Sequence, residues 1–263
     1  MSFQLIGNAP DIYEKVMVPL WFDHWASSLM GLVSLKPGER VLDVACGTGV
    51  TTRVARREVG KNGHVTGLDI NAGMLTKASE LASDLDINWM QSDVVDTRIL
   101  SSTFNVIISQ QGYQYFPDQA AALKEFLRIL APSGRIAMST WDGHSDYTAA
   151  LCNALEKFIS IEIAEKQRSQ RETPSATTLV EDLSDAGFQN VSVIRQELDI
   201  AVPLPAEFVP LHLGAMPIAS VFQSLPEDLQ EALIDEVSYS MRGHIVDDQM
   251  VYKDAVNVVI GVK

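Results

Sequence analysis

The chain has 263 residues, 46% of them hydrophobic, which suffices for one large domain or two small ones with a sizeable core. Its formal net charge of −14 repels phosphate backbones and anionic membranes, so nucleic acid is not expected as a general partner. Two cysteines, Cys46 and Cys152, exclude a disulfide framework and fit a reducing cytoplasm.

The opening "MSFQLIGNAP" lacks the basic flank and long apolar core of a secretory leader. No apolar run reaches the roughly 18 to 20 residues of a spanning helix. A cytoplasmic location is expected, and the oligomeric state is left open, a homodimer included. Residues 11 to 35 read as helical, with Pro19 breaking or starting a helix. After the turn "KPGER", strands and helices alternate. Val41 to Val44 is a buried strand, and Val50 to Val59 a helix closed by Gly60. "HVTGLDI" is a second strand, then a helix capped by Asn71. "INWMQSD" and "FNVIISQ" are the third and fourth strands. A helix opened by Pro117 and Asp118 leads through the turn "APSG" to a fifth, "RIAMSTW". Such alternation implies right-handed crossovers and a largely parallel sheet covered on both faces.

The second half is less regular. Residues 145 to 166 read as helix, "EKQRSQRETPS" as a polar link, and "ATTLVEDLSDAGF" as a helix stopped by Gly187. Two strands, "VSVIRQELDI" and "VYKDAVNVVIGV", flank an insertion of two helices. The second of these carries an apolar stripe at Leu229, Leu233, Val237 and Met241. That stripe predicts a helical lid over residues 204 to 247.

The turn in "VLDVACGTGV" lies at the carboxyl end of the first strand, where ligands of open α/β sheets bind. Gly47 and Gly49 let the backbone approach a ligand, but the third glycine of a dinucleotide site is missing. Asp43 would repel a pyrophosphate and suits a cationic group such as an ammonium or a sulfonium. Asp69 ends the second strand, where a carboxylate accepts from ribose hydroxyls, and Asp93 ends the third, where one accepts from an adenine amine. The Val94 N–H is the matching donor for the ring nitrogen.

With these residues in place, the chain resembles the class I S-adenosylmethionine-dependent methyltransferases. The carriers are "VLDVACGTG", "VTGLDINAGML", "QSDVVD", "FNVIISQQGYQYFPD" and "LKEFLRILAPSGRIAMSTW", in the expected order. The closer likeness is to the ubiquinone- and menaquinone-biosynthesis-like branch that acts on small molecules. The resemblance implies a Rossmann-like, seven-stranded, mostly parallel sheet with an antiparallel final strand. It implies an N-terminal helical cap over 1–37, a cofactor-binding core over 38–142, and completion of the sheet with the substrate-shaping insertion over 143–263. S-adenosylmethionine is the implied cofactor. Asp43, Ala45, Gly47, Gly49 and Gln110 would surround its methionine end, Asp69 its ribose, and Ile70, Met74, Asp93 and Val94 its adenine. Tyr13 and Trp21 would close the pocket from the N-terminal helix.

None of the five histidines stands at metal-ligand spacing, so no metal site is expected. His212, beside Phe208 and Met216 on the expected lid, is the first candidate for a base, and Tyr115 at the mouth the second. The implied activity is metal-free transfer of a methyl group to a small neutral or apolar acceptor. The alternative on the same fold is a cofactor-binding protein with altered chemistry, cyclase-like or regulatory.

Overall fold

A computed structural model describes residues 9–263 of the chain. Most of the opening stretch read for a leader, and the first residues of the expected cap, lie outside them. Eight strands form one sheet: β1 (Arg40–Val44), β2 (His64–Asp69), β3 (Asn88–Gln91), β4 (Phe104–Gln110), β5 (Leu130–Trp141), β6 (Gln189–Val202), β7 (Ile245–Val246) and β8 (Gln249–Val262). Their order is β3-β2-β1-β4-β5-β8-β6, with the two-residue β7 folded onto the start of β8. The first five strands pair in parallel, and β8 runs antiparallel to both neighbours. The sheet thus has the seven expected strands and β7 besides, a hairpin return closed by Asp247 and Asp248, both in the left-handed region (φ 46° and 60°).

The alternation of side chains sorts the core into two layers. Val41, Val106 and Ile108 face the layer holding Trp21, Trp25 and Leu151. Leu42, Val44 and Ile107 face the opposite layer, with Phe126, Leu179 and Leu183. The helices are α1 (Ala9–Ile12), α2 (Asp23–Val33), α3 (Val50–Glu58), α4 (Ala72–Leu81), α5 (Gln119–Ile129), α6 (Asp146–Phe158), α7 (Ile161–Ser169), α8 (Ala176–Ala186), α9 (Pro205–Gly214), α10 (Ala219–Gln223) and α11 (Glu227–Ser240).

Three expectations are revised. Pro19 does not break the N-terminal helix: Tyr13–Phe22 is π-helical and runs unbroken into α2, with the Asp23 N–H donating to the Val18 carbonyl. The wider winding relieves the clash of a proline ring with the preceding turn. The polar link is partly helix, because Ser160 caps α7 through the Ile163 N–H. The insertion holds three helices rather than two; α9 faces inward, while α11 packs along α6 and α9 as an outer layer.

Candidate active site

The strand ends build the first half of the site. Asp43 is fully buried beneath the glycine turn, where its Oδ2 accepts from the Thr51 and Thr52 hydroxyls at 2.6 and 2.5 Å. Its Oδ1 has no partner. Burial pushes its pKa up to about 7 against the lowering pull of the two threonines. Ala45, Gly47 and Gly49 all take left-handed backbone, with φ of 54°, 55° and 82°. At Gly49 a Cβ would also lie 2.7 Å from the Trp89 ring, so this glycine serves the packing of α3 against the sheet. The Gly47 N–H donates to Asp69 Oδ2 and the Asn71 N–H to Asp69 Oδ1, both at 2.8 Å. Asp69 therefore ties the turn to the end of β2. Burial raises its pKa against these bonds.

One cavity runs from this turn across the carboxyl ends of the strands, with an empty volume of about 1390 Å³ counting its open mouth. Ala45, Gly47, Asp69, Ile70, Met74, Asp93 and Val94 line one end. Tyr13, Met17, Trp21 and Phe22 of the π-helical segment roof it, and a smaller recess at the turn adjoins. The ion pairs Glu14–Arg53 and Asp11–Lys77 hold this roof to α3 and α4. Gln110 lines the same wall and donates from Nε2 to the Phe22 carbonyl at 2.8 Å. Asp43 and Gly49 lie behind the turn and line neither the cavity nor the recess.

The other end is assembled from distant segments. Trp141, Leu151, Gln167, Arg171, His212 and Met216 line it, with Tyr115 and Gln111 at the junction. His212 is buried, shares a 2.8 Å hydrogen bond with the Tyr147 hydroxyl through Nδ1, and meets Trp21 edge-on with centroids 4.8 Å apart. Burial, and then the Arg171 charge, push its pKa down to about 3. His212 is thus neutral at neutral pH and a weak proton acceptor. Burial holds Tyr115 protonated, its pKa pushed up to about 12. Both candidates for the base lie on the cavity wall, and neither is tuned toward neutral pH.

Gln111 and Arg171 are among the cavity residues that escaped the sequence reading. Gln111 is buried, has left-handed backbone (φ 47°), and leaves both side-chain polar atoms without a partner. Arg171, in the stretch read as a polar link, is buried and pairs with Asp254 through two 2.7 Å bonds. The signal was Asp254 itself, an acid inside the apolar strand "VYKDAVNVVIGV", which is rarely buried without a partner.

Residues 35–194, more than half the chain, match the family described as Methyltransferase domain. The chain belongs to this family, and the resemblance to S-adenosylmethionine-dependent methyltransferases is borne out. One relative is the demethylmenaquinone methyltransferase of Listeria welshimeri, 29% identical over 207 residues, covering 73% of this chain and 88% of that protein. Another is the 2-methyl-6-phytyl-1,4-hydroquinone methyltransferase of Synechocystis sp., 30% identical over 141 residues, or 53% of this chain and 44% of that one. Among solved structures, the phosphoethanolamine N-methyltransferase 2 of Haemonchus contortus in complex with S-adenosyl-L-methionine has the same fold, with a TM-score of 0.57 at 18% identity. The match covers 91% of this chain and 52% of that enzyme, so this chain spans about half of its length.

Proposed function

We propose that the protein transfers the methyl group of S-adenosylmethionine to a small, largely apolar ring of the quinol class. One observation carries the reading: a single cavity has carboxylates at the strand-end side and aromatic and aliphatic walls at the other. The two curated relatives, whose names give quinone-type acceptors, support it. The residues at the strand ends fit the cofactor. Asp69 reaches the cavity and can take ribose hydroxyls, Asp93 and the Val94 N–H meet the adenine edge, and Ile70 and Met74 flank its faces. The turn at Ala45 to Gly47 and the unpartnered Gln111 hold the methionine end. Domain roles follow: 38–142 for the cofactor, with the cap and the later segments for the acceptor.

Bound S-adenosylmethionine supplies a methyl group already activated on a sulfonium. The chain's own work is to orient the acceptor and exclude water, which can contribute several kcal/mol, up to roughly 7 to 11 in favourable cases. Trp21, Phe22, Trp141 and Met216 do this with apolar surface. The test is release of S-adenosylhomocysteine with a reduced demethylmenaquinone analogue, and separately with phosphoethanolamine. Turnover with the quinol alone is expected, also in the presence of a chelator. Turnover with phosphoethanolamine alone would overturn the acceptor class.

A further inference from the structure

We infer that Arg171 receives an oxygen of the acceptor and draws its hydroxyl toward the anionic form. The inference rests on the quinol reading above and deepens it. Among the described residues, Arg171 and the two acids Asp69 and Asp93 are the cavity's charged side chains other than histidine. The acids stand at the strand ends, so among the described residues the acceptor end has a cation and no carboxylate on its wall. An ammonium acceptor would find no counter-ion there; an oxygen would find donors.

The guanidinium is held in place from two sides. Its Nη1 and Nη2 donate to the two carboxylate oxygens of Asp254, each at 2.7 Å. Its carbon lies 3.9 Å from the centroid of the Trp141 ring, which covers one face. Those two bonds use two of the five N–H donors of an arginine, and the side chain still lines the cavity. Tyr115, His212, Tyr147, Tyr252 and Cys152 feel its charge. Burial keeps the three phenols and the thiol protonated and the imidazole neutral, so none of these five groups is an anion; Asp254 is the acid that pairs with the guanidinium.

A purely structural pair would tie the segment after α7 to β8 and leave the cavity's chemistry alone. The two roles separate in what happens to a bound hydroxyl. An arginine beside an acid lowers its pKa by about one to three units, and a pair already shared with Asp254 belongs at the low end. A phenolate or quinolate oxygen is a better nucleophile, and its ring carbons are richer in electrons. The proton leaves to solvent, and the methyl group is transferred afterwards.

The experiment uses 1-naphthol as a probe, titrated into the full chain saturated with S-adenosylhomocysteine, with naphthalene as the control. The naphtholate absorbance reports the hydroxyl's ionisation. The probe on the natural protein is expected to ionise about one pH unit below the probe on Arg171→Gln, a shift free of the burial that both share. Arg171→Gln should also bind 1-naphthol about tenfold more weakly, while binding naphthalene and S-adenosylhomocysteine as before. Arg171→Lys should restore part of the shift. A natural protein that binds naphthalene as tightly as 1-naphthol overturns the inference without any variant, as does an Arg171→Gln variant on which the probe ionises where it does on the natural protein. If neither naphthalene nor 1-naphthol binds, the aromatic-acceptor reading fails, and this inference with it. If both bind equally well and without a shift, only the role of Arg171 fails.

Discussion

The two ends of the cavity are built by different means. At the cofactor end each wall residue sits at, or a few positions past, the end of its own strand: Ala45 and Gly47 after β1, Asp69 and Ile70 at β2, Asp93 and Val94 after β3. At the acceptor end Trp21, Trp141, Arg171 and His212 come from four segments scattered over most of the chain, with Asp254 behind them. The first end depends on local backbone geometry; the second depends on the whole fold being closed. Mutations should therefore act differently at the two ends.

The largest effect is expected from Asp254→Ala, which leaves the Arg171 cation buried and unpaired. Breaking a buried pair this way costs about 3–5 kcal/mol of stability, measurable by urea unfolding. Where the variant still folds, S-adenosylhomocysteine affinity should stay within about twofold, since one end is spared. Equal damage to cofactor affinity would merge the two ends into one cooperative unit.

Gly49→Val combines positive φ with a collision against Trp89. A loss of about 3 kcal/mol is expected from strain and overpacking together. A variant as stable as the natural protein would show that the turn can be rebuilt.

Next comes Asp69→Ala, which removes the tie to the Gly47 and Asn71 N–H groups and the acceptor for ribose. Affinity for S-adenosylhomocysteine should fall by about 2–3 kcal/mol in calorimetry, and by about 1 kcal/mol for Asp93→Ala. A reversed order would move the ribose away from Asp69.

The pH dependence of stability sharpens the contrast further. Asp43 has a folded pKa of about 7 against an ordinary 3.8, so the folded chain binds more protons between these values. Stability therefore falls as pH rises through that window. Asp43→Asn should flatten the decline by about 1 to 2 kcal/mol between pH 5 and 7. Identical slopes in urea unfolding at the two pH values would contradict the raised pKa.

The smallest effect belongs to His212→Ala. With a pKa near 3 the imidazole does not titrate above pH 5. We expect kcat/KM to fall a few fold, about 1 kcal/mol, with its pH profile unmoved above pH 5. A lost limb in that range would restore His212 as the base.

The same contrast explains what could be read in advance. Strand periodicity, the Asn71 and Asp118 caps and the glycine turn are local signals, and they located the sheet and the strand-end side of the cavity. Arg171 could not be read this way, because a charge in a polar stretch looks like any solvated one. Its burial depends on a partner 83 positions away. Pro19 was misread for a related reason: the rule that proline ends a helix assumes α-winding, and the segment is π-helical. Asp43 read as a wall residue, yet two threonines on α3 draw it beneath the turn.

The Arg171–Asp254 pair also constrains descent. A lineage that replaced one member first would pass through a form carrying a lone buried ion, at a cost comparable to much of a domain's whole stability of about 5–15 kcal/mol. The two codons are therefore inherited as a couple. Descendants of this chain should keep both charges or exchange both for apolar side chains, and sequences holding the arginine beside a neutral residue at position 254 would show that some third group has taken over the acid's part.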